Sequence, residues 1–279
     1  ETVSVFEREV QTGNREFVEG LVYSLDSAVV MTGSFSEPAS PELINAIGEW
    51  YKPWFFKYVA QYLKTSNSSS TTEPSVAGVD YIPIRHYYHR HSRSIFWEIQ
   101  DIIPFGNHWL FRWLLGWTVP PKIGLLKQTQ TATIKRLYEQ NHFIQDMLIP
   151  LNKLKETLVV FDNTVEIYPL WLCPFKLKSG RGLVHTSNGD NGHAFYVDIG
   201  AYGTPLKLNE FKPKETTRSI EKYVRDCSGY QMLYADTYMT RDEFRQMFDH
   251  RLYDCMRTKH DATGAFPEIY DKVSRQARI

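Results

Sequence analysis

The chain contains little cysteine and no surplus charge of either sign. Its 279 residues include three cysteines, Cys173, Cys227 and Cys255, which are too few and too scattered for a disulfide framework and favour a reducing compartment. The 32 Lys and Arg residues balance the 32 Asp and Glu residues. Because phosphate recognition depends on a basic surface, this balance argues against a nucleic-acid partner.

Sequence motifs for nucleotide binding and for nucleophilic catalysis are absent as well. The chain has no GxGxxG, GxxxxGK[ST] or GxSxG segment. It therefore has no recognisable phosphate cradle and no nucleophile elbow of its own. It also has no initiator methionine and no apolar secretory core at its N-terminus. We expect a processed chain or a piece of a longer protein.

Aromatic residues, in contrast, are abundant. The chain has 7 Trp, 17 Tyr and 16 Phe residues, which together make 14% of the total. With 42% hydrophobic and 23% charged residues it is apolar enough to bury a core, which excludes intrinsic disorder. The aromatic content indicates a large flat ligand or a broad interface.

Hydrophobic periodicity predicts an α+β fold with an antiparallel sheet covered by helices. Strand-like runs arrive in clusters separated by helical runs rather than in strict alternation, which favours an antiparallel over a doubly wound sheet. The strand-helix-strand order around residues 151–161 is typical of a ferredoxin-like half. The predicted helices cover residues 3–10, 51–63, 92–103, 129–141, 151–161, 214–227 and 240–259, the last with a capping box at Thr240 and Glu243. The predicted strands cover residues 17–35 as a hairpin, and residues 79–91, 164–173, 182–186 and 194–199, with a loop at residues 65–75.

The densest group of acid and base side chains is the run RHYYHRHSR at residues 85–93. Its three arginines disfavour a bound cation, so we expect no metal site. Two interpretations remain open: a polar strand that faces solvent, or a functional group of tyrosine and histidine proton donors. In a strand, one face would carry Arg85, Tyr87, His89, His91 and Arg93, and the other His86, Tyr88 and Arg90.

A second feature is the tryptophan-rich stretch of residues 95–126. Its most apolar part, residues 109–119, is interrupted by Arg112 and is shorter than the ~20 residues of a spanning helix. Core packing is the first interpretation, the lining of a sterol-sized pocket the second and attachment to a membrane surface the third. A glycosylation sequon at Asn67 lies in a Ser-rich segment, where accidental matches are common.

Several longer strings, rich in aromatic residues and spread over nearly the whole chain, carry a family resemblance. They are residues 51–57, 81–98, 100–107, 119–123, 145–148, 171–175, 198–203, 231–236 and 265–273. With these strings the chain resembles the delta(24)-sterol reductases, or 24-dehydrocholesterol reductases, a branch of the vanillyl-alcohol-oxidase-like flavoproteins.

The resemblance covers only the C-terminal half of that family. It implies that residues 1–228 form the ferredoxin-like cap, or substrate, domain and that residues 229–279 form a helical segment. This segment would pack toward an FAD-binding domain upstream of the chain. The implied cofactors are FAD, held mainly by that upstream domain, and NADPH as reductant. The implied location is the endoplasmic reticulum membrane, with an anchor outside the chain and the catalytic part facing the cytoplasm.

The reaction that the resemblance implies is reduction of the C24=C25 double bond of a sterol, as in the conversion of desmosterol to cholesterol. Because an isolated alkene is not polarised, a proton donor has to act together with the hydride, and the developing cation needs stabilisation. The expected donors are Tyr88 or His89, with Arg90 and Arg93 setting their pKa values or contacting the cofactor. The expected walls of the substrate pocket are Trp97, Trp171 and Tyr234, because aromatic faces suit a cation.

Two other functions stay open at this point. One is a sterol-binding or partner-binding module without catalysis, because the chain has no cofactor motif of its own. The other is a related flavin oxidase that acts on another, small polar substrate.

Overall fold

An antiparallel sheet with the strand order β2-β1-β4-β5-β3-β6 lies at the centre of the computed structural model. The structure describes residues 2–37, 39–64, 77–119, 140–186, 192–207 and 209–275. Every strand pair is antiparallel. The strands are β1 Phe17–Ser24, β2 Ser27–Gly33, β3 Phe143–Pro150, β4 Leu170–Lys178, β5 His193–Gly203 and β6 Tyr230–Gln231.

Helices precede, interrupt and follow these strands. They are α1 Thr2–Thr12, α2 Phe55–Val59, α3 Ile84–Tyr88, α4 Ile99–Ile102, α5 Trp109–Leu115, α6 Leu154–Thr164, α7 Pro213–Asp226, α8 Arg241–Met247, α9 Arg251–Lys259 and α10 Ile269–Val273. Three of these helices adjoin a short 3-10 turn. The turn Ala60–Lys64 continues α2, Gly116–Thr118 continues α5, and Leu151–Lys153 precedes α6. Among the helices of the described segments, none is long and apolar enough to span a membrane.

The topology confirms the α+β prediction and its ferredoxin-like half. Strands β3 and β4 both pair with β5, so β3-α6-β4 is a split strand-helix-strand unit. Strands β5 and β6 both pair with β3, so β5-α7-β6 is a second such unit. Two interleaved units of this kind make the ferredoxin-like βαββαβ arrangement. The β1-β2 hairpin extends the sheet at the β4 edge.

The two faces of the sheet bury different side chains, because neighbouring residues of a strand point to opposite sides. One face, here called the helical face, packs against α1, α6 and α7 through aliphatic residues such as Val197 and Ile199 of β5. The other, here called the aromatic face, carries Leu21 and Tyr202. Its cover comes from residues between β2 and β3: Trp54, Phe55, Phe56, Val59, Trp97 and Ile99.

Several predicted elements are confirmed with small changes of boundary. The hairpin at residues 17–35, the helices at residues 3–10, 151–161 and 214–227, and the strand at residues 194–199 are all present. The capping box is present too: the Thr240 hydroxyl accepts from the Glu243 backbone N–H, and the Glu243 carboxylate accepts from the Thr240 backbone N–H. The helix at residues 51–63 is shorter, beginning at Phe55, because the backbone of its N-cap residue Trp54 is extended.

The predicted strand at residues 79–91 is wrong, because Ile84–Tyr88 is a helix. Pro83 precedes it as N-cap, and the chain then follows a helical period. As a result the two faces predicted for this strand do not exist. Tyr87, Arg90 and His91 turn toward the aromatic face instead, and Arg85 and His89 lie on the outside.

Four other predictions are corrected by the structure. The helix at residues 92–103 is reduced to α4 after a series of turns, with positive φ at Ile95 and Phe96. The strand at residues 164–173 begins only at Leu170, since Pro169 has no N–H for a ladder. Residues 182–186 form no strand, and β4 is the hairpin partner of β5 instead. The helix at residues 240–259 is divided into α8 and α9 around Phe248–His250.

Some predictions concern residues outside the described ranges. These are the loop at residues 65–75 with the sequon at Asn67, and the helix at residues 129–141 apart from its last two positions. The division at residue 228 stays a prediction. On the helical face, Met239, Phe244 and Phe248 join the same core cluster as β3 and β5.

Gly200 of β5 leads to a first prediction. A Cβ atom there would lie 2.6 Å from Asp146 Oδ1 and would also overlap the Tyr202 hydroxyl. We expect Gly200→Ala to lower the free energy of unfolding by about 1–3 kcal/mol in urea titrations, because a buried overlap forces its neighbours to move. The control is Gly180→Ala, where nothing lies within 4 Å. Equal losses in both variants would contradict this explanation.

Candidate functional site

The Glu19 carboxylate lies at the centre of a polar cluster under the aromatic face. Strand alternation places Glu19 on this face with Leu21, and the residue is only 2% exposed. His91 Nε2 lies 2.6 Å from Glu19 Oε1, Trp171 Nε1 donates to the same oxygen at 2.8 Å, and Arg90 Nε donates to Oε2 at 2.8 Å. The cluster therefore joins β1, β4 and the segment after α3.

Burial by itself raises the pKa of Glu19. The hydrogen bond and charge of His91, together with the charge and hydrogen bond of Arg90, outweigh this effect and hold the pKa of Glu19 below its usual range. Glu19 is therefore ionised at neutral pH. A buried carboxylate of this kind is stable only while its hydrogen-bond partners stay in place.

Aromatic rings enclose the imidazole of His91. The ring stacks on Phe96 with centroids 4.7 Å apart and meets Phe55 and Trp171 edge-on at 5.2 and 6.1 Å. His91 Nδ1 is buried, and none of the described residues accepts or donates a hydrogen bond there. A ring so enclosed, with one nitrogen bound to Glu19, has a single fixed orientation.

The three residues predicted as catalytic lie on two sides of this segment. Arg90 belongs to the Glu19 cluster, donates to the Tyr87 carbonyl at 2.8 Å and lies over the Tyr87 ring at 4.2 Å. Tyr88 is exposed and its ring lies 6.4 Å from that of Phe17. His89 ends α3 on the outer side, beside Ser92. The structure therefore does not bring Tyr88 and His89 into the buried cluster.

Arg93, predicted to contact a cofactor, is bound to backbone carbonyls. Its guanidinium donates to the carbonyl of Glu49 and to those of Lys52 and Pro53 at 2.6 and 3.2 Å. Burial, assisted by the nearby charge of Arg112, lowers the pKa of Arg93 to about 10. These bonds hold the loop at residues 49–53 against the turns after α3.

The three predicted pocket walls are also separated. Trp97 is buried and donates through Nε1 to the Tyr202 carbonyl at 2.7 Å. Trp171 is half-buried next to Phe96, with ring centroids 5.1 Å apart. Tyr234 is exposed and follows β6, at the sheet edge away from β1. Trp97 and Trp171 share the aromatic face, and Tyr234 does not.

Two buried carboxyls, Asp146 and Asp198, were not among the residues predicted from the sequence. Asp146 on β3 accepts a hydrogen bond from the Tyr202 hydroxyl, and Asp198 on β5 has a buried Oδ1 without a hydrogen-bond partner among the described residues. Burial raises the pKa of Asp146 to about 7, and burial together with the charge of Asp146 raises the pKa of Asp198 to about 8. In the sequence, the signal for these carboxyls was an aspartate within a mainly apolar strand.

The buried carboxyls of the site hold protons, and its cysteine thiol is not activated. Burial raises the pKa of Cys173, which lies opposite Asp198 in the sheet, to about 12, so its thiol stays protonated at neutral pH. All three cysteines are free. Within the described segments, no group of three His, Cys, Asp or Glu side chains is arranged to hold a metal ion.

Glu19 leads to a second prediction. We expect Glu19→Gln to lower the free energy of unfolding by about 3 kcal/mol, because it removes the negative charge that compensates Arg90 and His91 in a buried setting. Urea unfolding followed by tryptophan fluorescence measures this change. In the exposed control Glu16→Gln, the change should stay within about 0.5 kcal/mol. A loss in Glu19→Gln no larger than in the control would show that the cluster is not structural.

The buried aspartates lead to a third prediction, on pH. An unfolded aspartate loses its proton near pH ~4. Asp146 and Asp198 keep theirs in the folded chain up to about pH 7 and 8. The contribution of these protonated aspartates to the free energy of unfolding is therefore fully present below the unfolded pKa and is lost as the pH rises through the folded pKa. The free energy of unfolding then falls by at most ~1.4 kcal/mol per pH unit for each proton.

Asp198→Asn should remove part of this slope. The difference between the free energy of unfolding of this variant and that of the unchanged chain should increase in favour of the variant from pH ~5 to ~8. Glu19 stays ionised over this range. Urea titrations at several pH values give the slope. The exposed Asp26→Asn is the control and should leave the slope unchanged. Parallel curves for the unchanged chain and Asp198→Asn would contradict a proton bound at Asp198.

Comparison with known proteins gives strong similarity to a single group of enzymes. No protein-family model matches the chain. The chain is 53% identical over 273 residues to delta(24)-sterol reductase of Homo sapiens, which covers 98% of this chain and 51% of that protein. It is 46% identical over 267 residues to a delta(24)-sterol reductase homolog of Caenorhabditis elegans, which covers 95% of this chain and 49% of that protein. The identity to delta(24)-sterol reductase of Arabidopsis thaliana is 38% over 278 residues, which covers 93% of this chain and 48% of that protein.

The chain spans about half the length of the curated relatives it matches. Animal and plant proteins of the same name align with nearly all of it, so the similarity is not confined to one motif or one element of the fold. Over nearly its whole length, the chain is homologous to about half of a delta(24)-sterol reductase.

Proposed function

We propose that the chain forms part of a delta(24)-sterol reductase and takes part in the reduction of the C24=C25 double bond of a sterol side chain. The observation that carries this proposal is the 53% identity to the human enzyme over 98% of the chain. The sterol is the proposed small-molecule partner, and no nucleic-acid partner is proposed, since the chain has no net charge.

The aromatic face supports this proposal chemically. Phe96 has ring centroids 5.1 Å from Trp171 and 4.9 Å from Tyr202, so three rings form one continuous surface. Surfaces of this kind bind flat apolar molecules, and their ring faces stabilise positive charge. Reduction of an unpolarised alkene passes through a state with cationic character at one carbon. Tyr202 is buried, and Phe96 and Trp171 are half-buried. The partly exposed edge of this surface is therefore where we propose that such a state is stabilised.

The reaction adds a hydride to one alkene carbon and a proton to the other. We keep Tyr88 and His89 as the proposed proton donors, with Arg90 as the positive charge on the inner side of the same segment. Both donors are exposed, so the substrate or another part of the complete polypeptide has to cover them for the proton to be delivered in a dry site. Arg90 is held by Glu19 and cannot follow a moving ligand.

FAD, reduced by NADPH, would supply the hydride in this proposal. Two observations support a cofactor site outside the described residues: the sequence has no GxGxxG motif, and the Arg93 guanidinium is already bound to three carbonyls. We therefore assign the binding of both cofactors to residues other than these. The proposed location is the endoplasmic reticulum membrane with the catalytic part facing the cytoplasm, in keeping with the family resemblance.

A fourth prediction tests the proposed donors in the complete polypeptide that contains this chain. We expect Tyr88→Phe or His89→Ala to lower the turnover of desmosterol with NADPH by ~10²-fold, the usual contribution of a positioned acid. Sterol products are measured by mass spectrometry and bound flavin by its absorbance. His260→Ala, at an exposed histidine in the turn after α9, is the matched control and should keep the full rate.

The same measurements separate the proposed function from its alternatives. Desmosterol binding without turnover in the complete polypeptide would favour a binding module, and turnover of small polar alcohols would favour an oxidase. Near-normal rates in both variants, with flavin bound, would leave the reductase assignment in place but make residues 85–93 a structural segment. The 279-residue chain alone should show no flavin absorbance and no turnover, because it has no dinucleotide motif.

A further inference from the structure

The apolar segment from Ile102 to Trp117 is exposed rather than packed in the core. Trp109, Trp113 and Trp117 are 60%, 58% and 69% exposed. Core packing, the first interpretation of this stretch, is therefore wrong for these three tryptophans. Five further apolar side chains of the segment are also exposed: Ile102, Phe105, Leu110, Leu114 and Leu115.

Contacts with the loop at residues 48–54 hold this apolar surface in a fixed shape. Arg112 Nη1 donates to the Tyr51 carbonyl at 3.0 Å, and Trp113 stacks on the Tyr51 ring at 5.3 Å. Gly116 lies so close to the Trp50 carbonyl that a Cβ atom would be 2.6 Å from it. The exposed rings are thus part of a built surface and not of a loose end. Arg112, the only Lys, Arg, Asp or Glu between residues 102 and 119, turns inward.

A basic depression adjoins this surface on the other side of the same loop. It has a volume of about 470 Å³ and is lined by Arg85, His86, His89 and Arg93, with Glu49 as the acidic residue. Glu49 lies 3.6 Å from His86 Nε2, and Arg85 and His89 are exposed. The charges of Arg93 and Arg112 act on each other across the loop. An apolar surface without acidic residues and a positively charged depression are therefore neighbours.

This combination fits an anionic lipid surface better than it fits a protein. Trp side chains prefer the boundary between headgroups and acyl chains, where one side of the ring is wet and the other apolar. Basic side chains next to them attract anionic headgroups. The apolar stretch is shorter than the ~20 residues of a spanning helix, so it can lie in the interface but not cross it.

We propose that Trp109, Trp113 and Trp117, together with the Arg85 depression, form a surface that docks on an anionic lipid bilayer. The tryptophans enter the boundary layer and Arg85 meets the headgroups. The contact is distinct from any anchor elsewhere in a longer polypeptide. It does not rest on the proposed reductase function, because the exposed rings and the basic depression are observed whatever the reaction is.

The first experiment measures binding of the chain to vesicles of phosphatidylcholine, with and without phosphatidylserine. We expect binding that is stronger with phosphatidylserine and weakened by salt. The triple variant Trp109→Ser, Trp113→Ser, Trp117→Ser should bind about tenfold more weakly or worse. The control is Leu206→Ser with Phe266→Ser, two exposed apolar residues outside the surface, which should bind normally. Near-UV circular dichroism checks that each variant is folded.

The second experiment separates the charged part from the apolar part. Arg85→Glu should remove the preference for phosphatidylserine and keep the weaker binding to phosphatidylcholine, while the exposed Lys155→Glu on α6 should change neither. Brominated lipids should quench the tryptophan fluorescence of the unchanged chain but not that of the triple variant beyond background.

Three results would overturn the proposal. The first is no binding to vesicles with phosphatidylserine, and the second is equal binding by the unchanged chain and the triple variant. The third is self-association of the chain that the triple variant abolishes while vesicles are not bound, because a second copy would then be the occupant of this surface.

Discussion

The buried Glu19 carboxylate is the constraint on which the aromatic face depends. Its two oxygens bind His91, Arg90 and Trp171, side chains from two distant parts of the chain. Without the carboxylate, the Arg90 guanidinium would lie largely buried without its charge partner, at a cost of about 3 kcal/mol. Because these partners are fixed, Phe96 and Trp97 can pack on β4 and β5 behind them. The polar cluster thus determines where the aromatic rings lie.

The two faces of the sheet differ in the side chains that they bury. The helical face is aliphatic and builds the core with α6 and α7. The aromatic face carries buried carboxyls, tyrosines and tryptophans, and its Asp146 and Asp198 keep protons at a pH at which ordinary aspartates have lost them. Perturbed carboxyls and continuous rings are features of functional surfaces.

Much of the fold could be predicted from the chain because its signals are local. Alternation predicts the β1-β2 hairpin, a helical period predicts α7, and Thr240 with Glu243 predicts the start of α8. Residues 85–93 were predicted less well. Their histidines, tyrosines and arginines have no clear hydrophobic period, so strand and helix could not be separated. The central position of Glu19 in the polar cluster could not be predicted either, since its partners lie 71, 72 and 152 residues away.

By itself, the sequence determined the α+β class, the absence of a dinucleotide motif, the aromatic richness and the resemblance to the delta(24)-sterol reductases. These follow from composition, period and continuous strings, which need no distant contacts. Only the tertiary structure decided that Arg90 and His91 contact the Glu19 carboxylate and that Arg93 binds the carbonyls of a loop. It also decided that Trp97 is buried while three other tryptophans are exposed: Trp109, Trp113 and Trp117. The physical reason is that burial and charge compensation depend on which segments meet across the sheet, and local sequence does not contain that information.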